Sequence, residues 1–257
     1  MAYIEINDVS KVYQRVGEPF HALSHVSLEI ERGEFICLLG PSGCGKTTLL
    51  NTLAGFEHPD EGQVLIGGEK VKDPVPSRVT IFQHYGLLPW QTVEKNVMLG
   101  LLAKKIPKEQ ARAAAAKYID LVGLAGFEHV RPAQLSGGMQ QRVSIARGLA
   151  VQPDVLFMDE PFAALDAITR LKMQDDIHRI AEEEGVTVVF VTHDIEEAVA
   201  LADRIVVLTP NPGRVKEIIK VELGPDRLRT ADDFLAVRDH VFDVFGMKPN
   251  WNVEYVI

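Results

Sequence analysis

A short apolar run leads directly into a glycine-rich loop near residue 40, and a helical pattern follows the loop. The run FICLLG, residues 35–40, is continuously apolar and too short for a typical helix, which indicates a strand buried on both faces. The loop GPSGCGKTT, residues 40–48, fits the pattern G-x-x-x-x-G-K-[ST] in the strand-to-helix context that this pattern requires. Similar apolar runs recur at 155–159 and 186–191, with helical stretches between them. We therefore predict an α/β core with a parallel sheet.

The glycine-rich loop predicts a phosphate-binding site. Glycines allow backbone N–H groups to surround phosphate oxygens, and the N-terminus of the following helix adds a favourable dipole. Lys46 can neutralise the outer phosphates, and Thr47 can ligate Mg²⁺. The loop amides around Cys44 also predict a lowered pKa for its thiol. The predicted nucleotide-binding residues of the loop are Gly40, Pro41, Ser42, Gly43, Cys44, Gly45, Lys46, Thr47 and Thr48.

The composition is that of a globular chain and argues against several kinds of partner. Hydrophobic residues make up 46% and charged residues 25%, which is enough for a buried core. With 27 Lys and Arg against 36 Asp and Glu the net charge is −9, so nucleic acid is not an expected partner. No apolar run approaches the roughly 18 residues of a membrane span, and the N-terminus does not suit a secretory signal, so we expect a cytoplasmic chain. The two cysteines, Cys37 and Cys44, are expected to be reduced.

A pair of acidic residues follows the apolar run at 155–159. The run would deliver Asp159 and Glu160 to the C-terminal edge of the predicted sheet, where open α/β sheets bind ligands. Asp159 suits the coordination shell of Mg²⁺, and Glu160 suits the polarisation of an attacking water. An isolated pair of this kind more often begins a capped helix, and the upstream glycine loop favours catalysis here.

A third motif, LSGGMQQR at 135–142, comes just before another helical pattern. Ser136 can cap that helix, while Gly137 and Gly138 allow backbone amides to approach a phosphate. Together with the glycine loop and the acidic pair, in this order, the motif resembles the signature sequence of the ATP-binding cassette (ABC) family. The resemblance covers residues 1 to about 225.

The resemblance implies a fold with two additions to the core. It implies a P-loop NTPase (RecA-like) α/β core with a mostly parallel sheet, an N-terminal antiparallel β subdomain and an inserted α-helical subdomain. We predict an ABC ATPase domain over 1–225, with the helical subdomain at about 86–150, and a helical tail over 226–257. The tail carries apolar residues at helical spacing, which predicts one amphipathic helix. They are Phe234, Val237, Val241, Val244 and Phe245.

Further site residues follow from the resemblance alone. Gln83, in TIFQHYG, matches the family's Q-loop glutamine, which reaches Mg²⁺ or water. His193, in VTHD, matches the switch histidine, which is expected to contact the terminal phosphate. Asp166 ends AALD, which resembles the D-loop with alanine where serine is frequent. Tyr13, in KVYQ, matches the aromatic residue that stacks on adenine, and Phe20 is the alternative.

The implied mechanism needs two copies of the chain, with ATP and Mg²⁺ as cofactors. ATP would lie between the glycine loop of one copy and the signature turn of the other. The implied catalytic residues are Glu160, His193, Gln83 and Lys46, and the implied metal ligands are Thr47, Gln83 and Asp159. The residues implied to complete the nucleotide site are Ser136, Gly137, Gly138, Gln140 and Asp166.

Two longer stretches, beginning at Phe82 and Val191, resemble the ATPase subunits of importers for nitrate, sulfonates, taurine or bicarbonate. The resemblance implies integral membrane permease subunits, a periplasmic or extracellular solute-binding protein, and a peripheral place on the cytoplasmic face of the inner (plasma) membrane. The cluster Leu87, Leu88 and Trp90 suits permease docking on the helical lobe, with Trp90 packed inside the lobe as the alternative.

Two other functions stay open from the sequence. An ABC exporter ATPase would share every catalytic motif. A soluble ABC ATPase without a transport role usually carries two tandem cassettes or a long coiled coil, whereas this sequence has one glycine loop and no sustained heptads.

Overall fold

A computed structural model describes residues 2–14, 17–224 and 227–247 of the chain. The strands in these ranges are β1 (Ile4–Tyr13), β2 (Phe20–Ile30), β3 (Phe35–Leu39), β4 (Glu61–Ile66), β5 (Glu69–Lys70), β6 (Arg78–Ile81), β7 (Val155–Asp159), β8 (Thr187–Thr192), β9 (Arg204–Leu208) and β10 (Val215–Lys220). The helices are α1 (Lys46–Ala54), α2 (Val93–Ala103), α3 (Lys108–Leu121), α4 (Gly137–Ala150), α5 (Ala167–Glu184), α6 (Ile195–Leu201) and α7 (Asp232–Val244).

A six-stranded sheet lies at the centre of the fold, in the order β10-β9-β3-β8-β7-β6. Its strands are parallel except β10, which joins one edge in the antiparallel direction. Both faces of the sheet are covered, so β3, β7 and β8 are buried along their whole length, as their continuous apolar sequences predict. On β3, Cys37 packs into the core that includes α2–α4, and Leu38 packs into the core that includes α1.

A second sheet, in the order β2-β1-β4-β5, is antiparallel and covers one face of the central sheet. Its inward residues alternate along β1, and Ile4 and Ile6 share a core with Leu38 and Leu49. This is the predicted N-terminal antiparallel subdomain.

The helices α2, α3 and α4 pack against one another as a lobe beside the central sheet. One face of α3 is apolar and packs into the lobe, and its residues are buried or, at Ala114, partly buried. The residues of that face are Ala111, Ala114, Ala115, Tyr118, Ile119 and Val122. The predicted fold class is therefore confirmed, while the division of the chain at 86, 150 and 225 stays a prediction.

The C-terminal segment contains the predicted amphipathic helix. In α7, Phe234, Val241 and Val244 are buried, and Val237 and Phe245 pack against the same core from partly exposed positions. The rest of the predicted tail, residue 226 and residues 248–257, lies outside the described residues. Within the described ranges, every helix is too short or too polar to span a membrane.

Candidate functional site

The glycine-rich loop joins the end of β3 to the start of α1, and its path requires residues without side chains. Gly45 precedes α1 with a φ of 92°, and a Cβ at this position would lie 2.6 Å from a carbonyl oxygen of β2. Lys46 is buried, and its Nζ donates hydrogen bonds to the carbonyl oxygens of Gly40 at 2.7 Å and Pro41 at 3.1 Å. The predicted loop thus wraps around a lysine ammonium at a helix N-terminus, which is an arrangement that suits phosphate.

The thiol of Cys44 faces the interior of the loop. It is fully buried, and a Cβ on Gly40 would lie 2.6 Å from the Cys44 Sγ. Burial raises the pKa of the Cys44 thiol, and the nearby Lys46 ammonium offsets this only in part. The lowered pKa expected from the sequence is therefore wrong, because the packing of the side chain outweighs the loop amides. Cys37 is also free and buried, and burial raises its thiol pKa as well.

Asp159, at the end of β7, meets the first turn of α1. Thr47 Oγ1 donates a hydrogen bond to Asp159 Oδ1 at 3.2 Å. Burial raises the pKa of the Asp159 carboxyl, and the hydrogen bond from Thr47 acts in the opposite direction. A buried carboxylate beside a hydroxyl fits Mg²⁺, which binds proteins through one or two carboxylates and takes its remaining ligands from phosphate and water. The described residues contain no cluster of three or more His, Cys, Asp or Glu that could hold a metal without such help.

Glu160 and His193 follow neighbouring strands at the same edge of the sheet. β7 and β8 pair in parallel, so the residues after Asp159 and Thr192 meet there. Glu160 Oε1 lies 3.1 Å from His193 Nδ1. The backbone of Glu160 has a φ of 45°, and its N–H donates to the Val191 carbonyl oxygen at 3.0 Å. Left-handed backbone at a residue other than glycine is strained, and such strain clusters at functional sites.

Gln83 lies two residues after β6, the strand that pairs with β7. Its side chain is exposed at the edge that carries Asp159 and Glu160. The loop that follows is held by Arg147 of α4, which donates to the carbonyl oxygens of Gly86 at 2.7 Å and Tyr85 at 3.0 Å. The sequence reasoning missed Arg147, since its partners are 61 and 62 residues away and no local pattern marks it.

The signature turn packs against two other predicted motifs of the same chain. Ser136 caps α4 by accepting a hydrogen bond from a backbone N–H of the first turn at 3.3 Å. A Cβ on Gly137 would lie 2.7 Å from the Tyr85 hydroxyl, and a Cβ on Gly138 would lie 3.1 Å from the Ala164 carbonyl oxygen. The two glycines therefore permit close contact with the Gln83 loop and with the AALD turn.

The side chains of Gln140 and Asp166 form hydrogen bonds with residues that are close to them in the sequence. Gln140 Nε2 donates to the Leu135 carbonyl oxygen at 3.2 Å. Asp166 caps α5 by accepting from the Thr169 N–H at 3.0 Å, and this hydrogen bond lowers the pKa of Asp166. Neither contact involves the glycine loop, so a nucleotide role for these residues stays a prediction.

The two candidate stacking aromatics are neighbours across two strands. Tyr13 ends β1 and pairs with Phe20, which begins β2. The Nζ of Lys11 lies 5.7 Å from the centre of the Tyr13 ring, and Phe20 lines a cavity of about 630 Å³. Both aromatic residues therefore remain candidates.

Sequence comparison places this architecture among known proteins. The family model described as "ABC transporter" matches residues 23–163, more than half of the chain. The chain is 49% identical over 241 residues to an uncharacterized ABC transporter ATP-binding protein of Methanocaldococcus jannaschii, covering 94% of this chain and 90% of that protein. It is 42% identical over 232 residues to the nitrate import ATP-binding protein NrtD of Synechococcus elongatus, covering 89% and 85%.

The bicarbonate transport ATP-binding protein CmpC of Synechococcus elongatus is 46% identical over 231 residues, which are 88% of this chain. The chain spans only 35% of the length of CmpC.

A solved structure gives the same result for the fold. The dimeric post-hydrolysis state of the ATP-binding cassette MJ0796, bound to ADP and Pi, matches with a TM-score of 0.79 and 35% identity. The match covers 86% of this chain and all of that one. With the glycine loop, the acidic pair and the signature turn present in one fold, the chain belongs to the ABC transporter family and is an ATP-binding subunit that hydrolyses ATP.

Proposed function

We propose that this chain powers the import of a small anionic solute such as nitrate, a sulfonate, taurine or bicarbonate. The relatives whose names refer to nitrate import and bicarbonate transport support this solute class. The contact between Glu160 and His193, beside the Thr47–Asp159 hydrogen bond, carries the hydrolytic part of the proposal.

Three side chains have separate roles in hydrolysis in this proposal. Lys46, at the N-terminus of α1, neutralises the outer phosphates of ATP. Glu160 accepts a hydrogen bond from the attacking water and polarises this water in line with the terminal phosphate. His193, whose Nδ1 lies 3.1 Å from Glu160 Oε1, donates a hydrogen bond to the terminal phosphate as negative charge develops there.

The metal ligands in this proposal are Thr47, Asp159 and Gln83. A Mg²⁺ ion bound there would neutralise charge on the phosphate oxygens during transfer. The raised pKa of Asp159 supports the assignment, because a cation next to this buried carboxylate would offset the cost of its burial.

A second copy of the chain completes each site. In this proposal Ser136, Gly137, Gly138, Gln140 and Asp166 face the ATP that is bound to the glycine loop of the other copy. The dimeric state of the solved cassette supports this arrangement.

The surface around Trp90 is the proposed docking site for membrane permease subunits. Trp90 is 65% exposed, so it is not a packing anchor inside the lobe. Its loop is ordered by Asn96, whose side chain accepts from the Leu88 N–H at 2.8 Å and donates to the Leu88 carbonyl oxygen at 3.2 Å. Beside it, Leu99 and Leu102 line an apolar groove on α2 and are partly exposed. A rigid aromatic beside an apolar groove suits a short permease helix.

The proposal includes the remaining parts of the assembly. The chain would lie at the cytoplasmic face of the inner (plasma) membrane as a peripheral subunit, and a periplasmic or extracellular solute-binding protein would deliver the solute. In this proposal the chain consists of an ABC ATPase domain at 1–225, with a helical subdomain at about 86–150, and a tail at 226–257.

Uptake by the assembled complex in vesicles tests this function. We expect labelled nitrate, bicarbonate, taurine or an alkanesulfonate to enter only with ATP, and Trp90→Ala to reduce uptake while basal ATP hydrolysis continues. Ile218→Ala, which removes an exposed apolar side chain on β10, is the matched control and should leave both unchanged. A complex that hydrolyses ATP and moves none of these solutes inward would contradict the importer assignment.

A further inference from the structure

A chain of hydrogen bonds, buried except at Arg229, connects the C-terminal segment, residues 227–247, with the turn that carries His193. It runs from Arg229 through Gln174 and Glu197 to Thr192. None of these four residues belongs to the nucleotide site described above, yet the last of them directly precedes His193.

The hydroxyl group of Thr192 restrains the backbone on both sides of His193. Thr192 ends β8 and is buried. Its Oγ1 donates to Glu197 Oε2 at 2.7 Å and accepts from the Asp194 N–H at 3.0 Å. The backbone on either side of His193 therefore depends on where Glu197 holds this hydroxyl.

Glu197 joins that turn to the AALD turn. It is 7% exposed on α6, and its Oε1 accepts from Gln174 Nε2 at 3.0 Å. Arg170 Nε lies 3.9 Å from the same oxygen, and the Arg170 guanidinium also donates to the Leu165 carbonyl oxygen at 3.0 Å. A carboxylate so little exposed is stable only when it is paired and hydrogen-bonded, so its partners determine its position.

Gln174 extends the connection to the C-terminal segment. It is 1% exposed on α5, and its Oε1 accepts a hydrogen bond from Arg229. The segment that carries Arg229 is held on α6, since Arg227 donates to the Ala202 carbonyl oxygen at 2.8 Å and Phe234 is buried in the adjoining core. If this segment left its place, Gln174 would lose the partner of a buried amide oxygen.

We propose that Glu197 is a positioning residue for His193, and that the bridge from Gln174 to Arg229 makes the position of His193 depend on the docked C-terminal segment. The proposal rests on the role assigned above to His193 in hydrolysis. In this proposal the docking of the C-terminal segment controls the rate of ATP hydrolysis, although the segment does not contact the nucleotide.

The first test observes His193 directly, without relying on hydrolysis. In full-length protein labelled at its eight histidines, the His193 imidazole resonance is identified by its loss in His193→Gln. We expect Glu197→Gln, Thr192→Val and Arg229→Ala each to shift this resonance. Thr192→Ser, which keeps the hydroxyl, should retain the parental position. Arg179→Ala, which removes an exposed arginine from α5, is the matched control and should not shift it.

The second test measures steady-state ATP hydrolysis by the same proteins. We expect Arg229→Ala and Glu197→Gln to lower kcat roughly tenfold with an unchanged KM for ATP, and the double variant to be no slower than Glu197→Gln alone. An unshifted His193 resonance in Glu197→Gln overturns the proposal, and additive losses in the double variant overturn the part played by Arg229. If His193→Gln hydrolyses ATP at the parental rate, the proposed role of His193 fails, while the resonances still decide whether Glu197 positions it.

Discussion

Replacing Glu160 by glutamine should separate the binding of ATP from its hydrolysis. Glutamine keeps the shape of the side chain and its 3.1 Å contact with His193, and it loses the basicity needed to polarise water. A positioned general base contributes about 10² to 10⁴ in rate, which corresponds to about 2.7 to 5.5 kcal/mol of transition-state stabilisation. We therefore expect kcat to fall by that factor while ATP is still bound.

The variant Glu160→Gly is a control that separates a loss of catalysis from a loss of stability. Its φ of 45° costs a side-chain-bearing residue about 1 to 2 kcal/mol, and glycine avoids this cost. Glycine loses about 0.5 to 1 kcal/mol through the greater freedom of the unfolded chain, so Glu160→Gly should gain a net of about 0 to 1.5 kcal/mol. Glu160→Gln, which keeps a side chain in the same conformation, should have the parental stability.

Three measurements decide the prediction. Urea unfolding gives the free energy of unfolding of each variant, and single-turnover release of phosphate gives the rate of the chemical step. Both variants should be folded and slow, and Glu160→Gln should accumulate with ATP as a dimer in light scattering. Phosphate release by Glu160→Gln at the parental rate would refute the general-base role, and a Glu160→Gln protein that stays monomeric with ATP at high concentration would count against the two-copy site.

Three further predictions concern the nucleotide and the metal. Lys46→Ala should abolish ATP hydrolysis in a folded protein, because the charge on the outer phosphates is lost; parental turnover would refute the loop assignment. Asp159→Asn should raise stability without nucleotide and Mg²⁺, and the gain should grow as pH rises from about 4. The reason is that the Asp159 carboxyl has a raised pKa in the folded protein. Above about pH 4 this carboxyl ionises more readily in the unfolded chain, which lowers the stability of the parental protein and leaves that of Asp159→Asn unchanged. Urea unfolding between pH 4 and 7 checks the trend. Nucleotide titration should show weaker binding in Tyr13→Ala and parental binding in Tyr13→Trp, whereas loss of affinity only in Phe20→Ala would move the stacking role to Phe20.

The features that could be predicted from the sequence are those that depend on residues close to one another in the chain. The loop at 40–48 is recognised because strand, glycines, lysine and helix follow one another within about twenty residues, and buried strands such as β7 show as unbroken apolar runs. The sequence also placed Glu160 at the C-terminal edge of the sheet, because it directly follows the strand β7, whereas the strain in its backbone shows only in the structure.

The features that the sequence reasoning missed depend on the direction of a side chain or on a distant partner. The motif around Cys44 gives the position of its backbone, but only the packed fold shows that its Sγ lies against Gly40, where burial raises its pKa. Arg147 and Glu197 look like ordinary helix residues in the sequence, and each acquires its role from partners on other elements.

The contacts among three loops explain how a change at the nucleotide can reach the surface at Trp90. Gly137 packs against the Tyr85 hydroxyl and Gly138 against the Ala164 carbonyl oxygen, so the signature turn is in close contact with both neighbouring loops. Arg147 holds the backbone of Tyr85 to α4, and α4 packs against α2 in the lobe. Because packed interfaces of this kind have few alternative arrangements, we expect a displacement of the Gln83 loop to move the lobe as a unit and to carry the Trp90 surface with it.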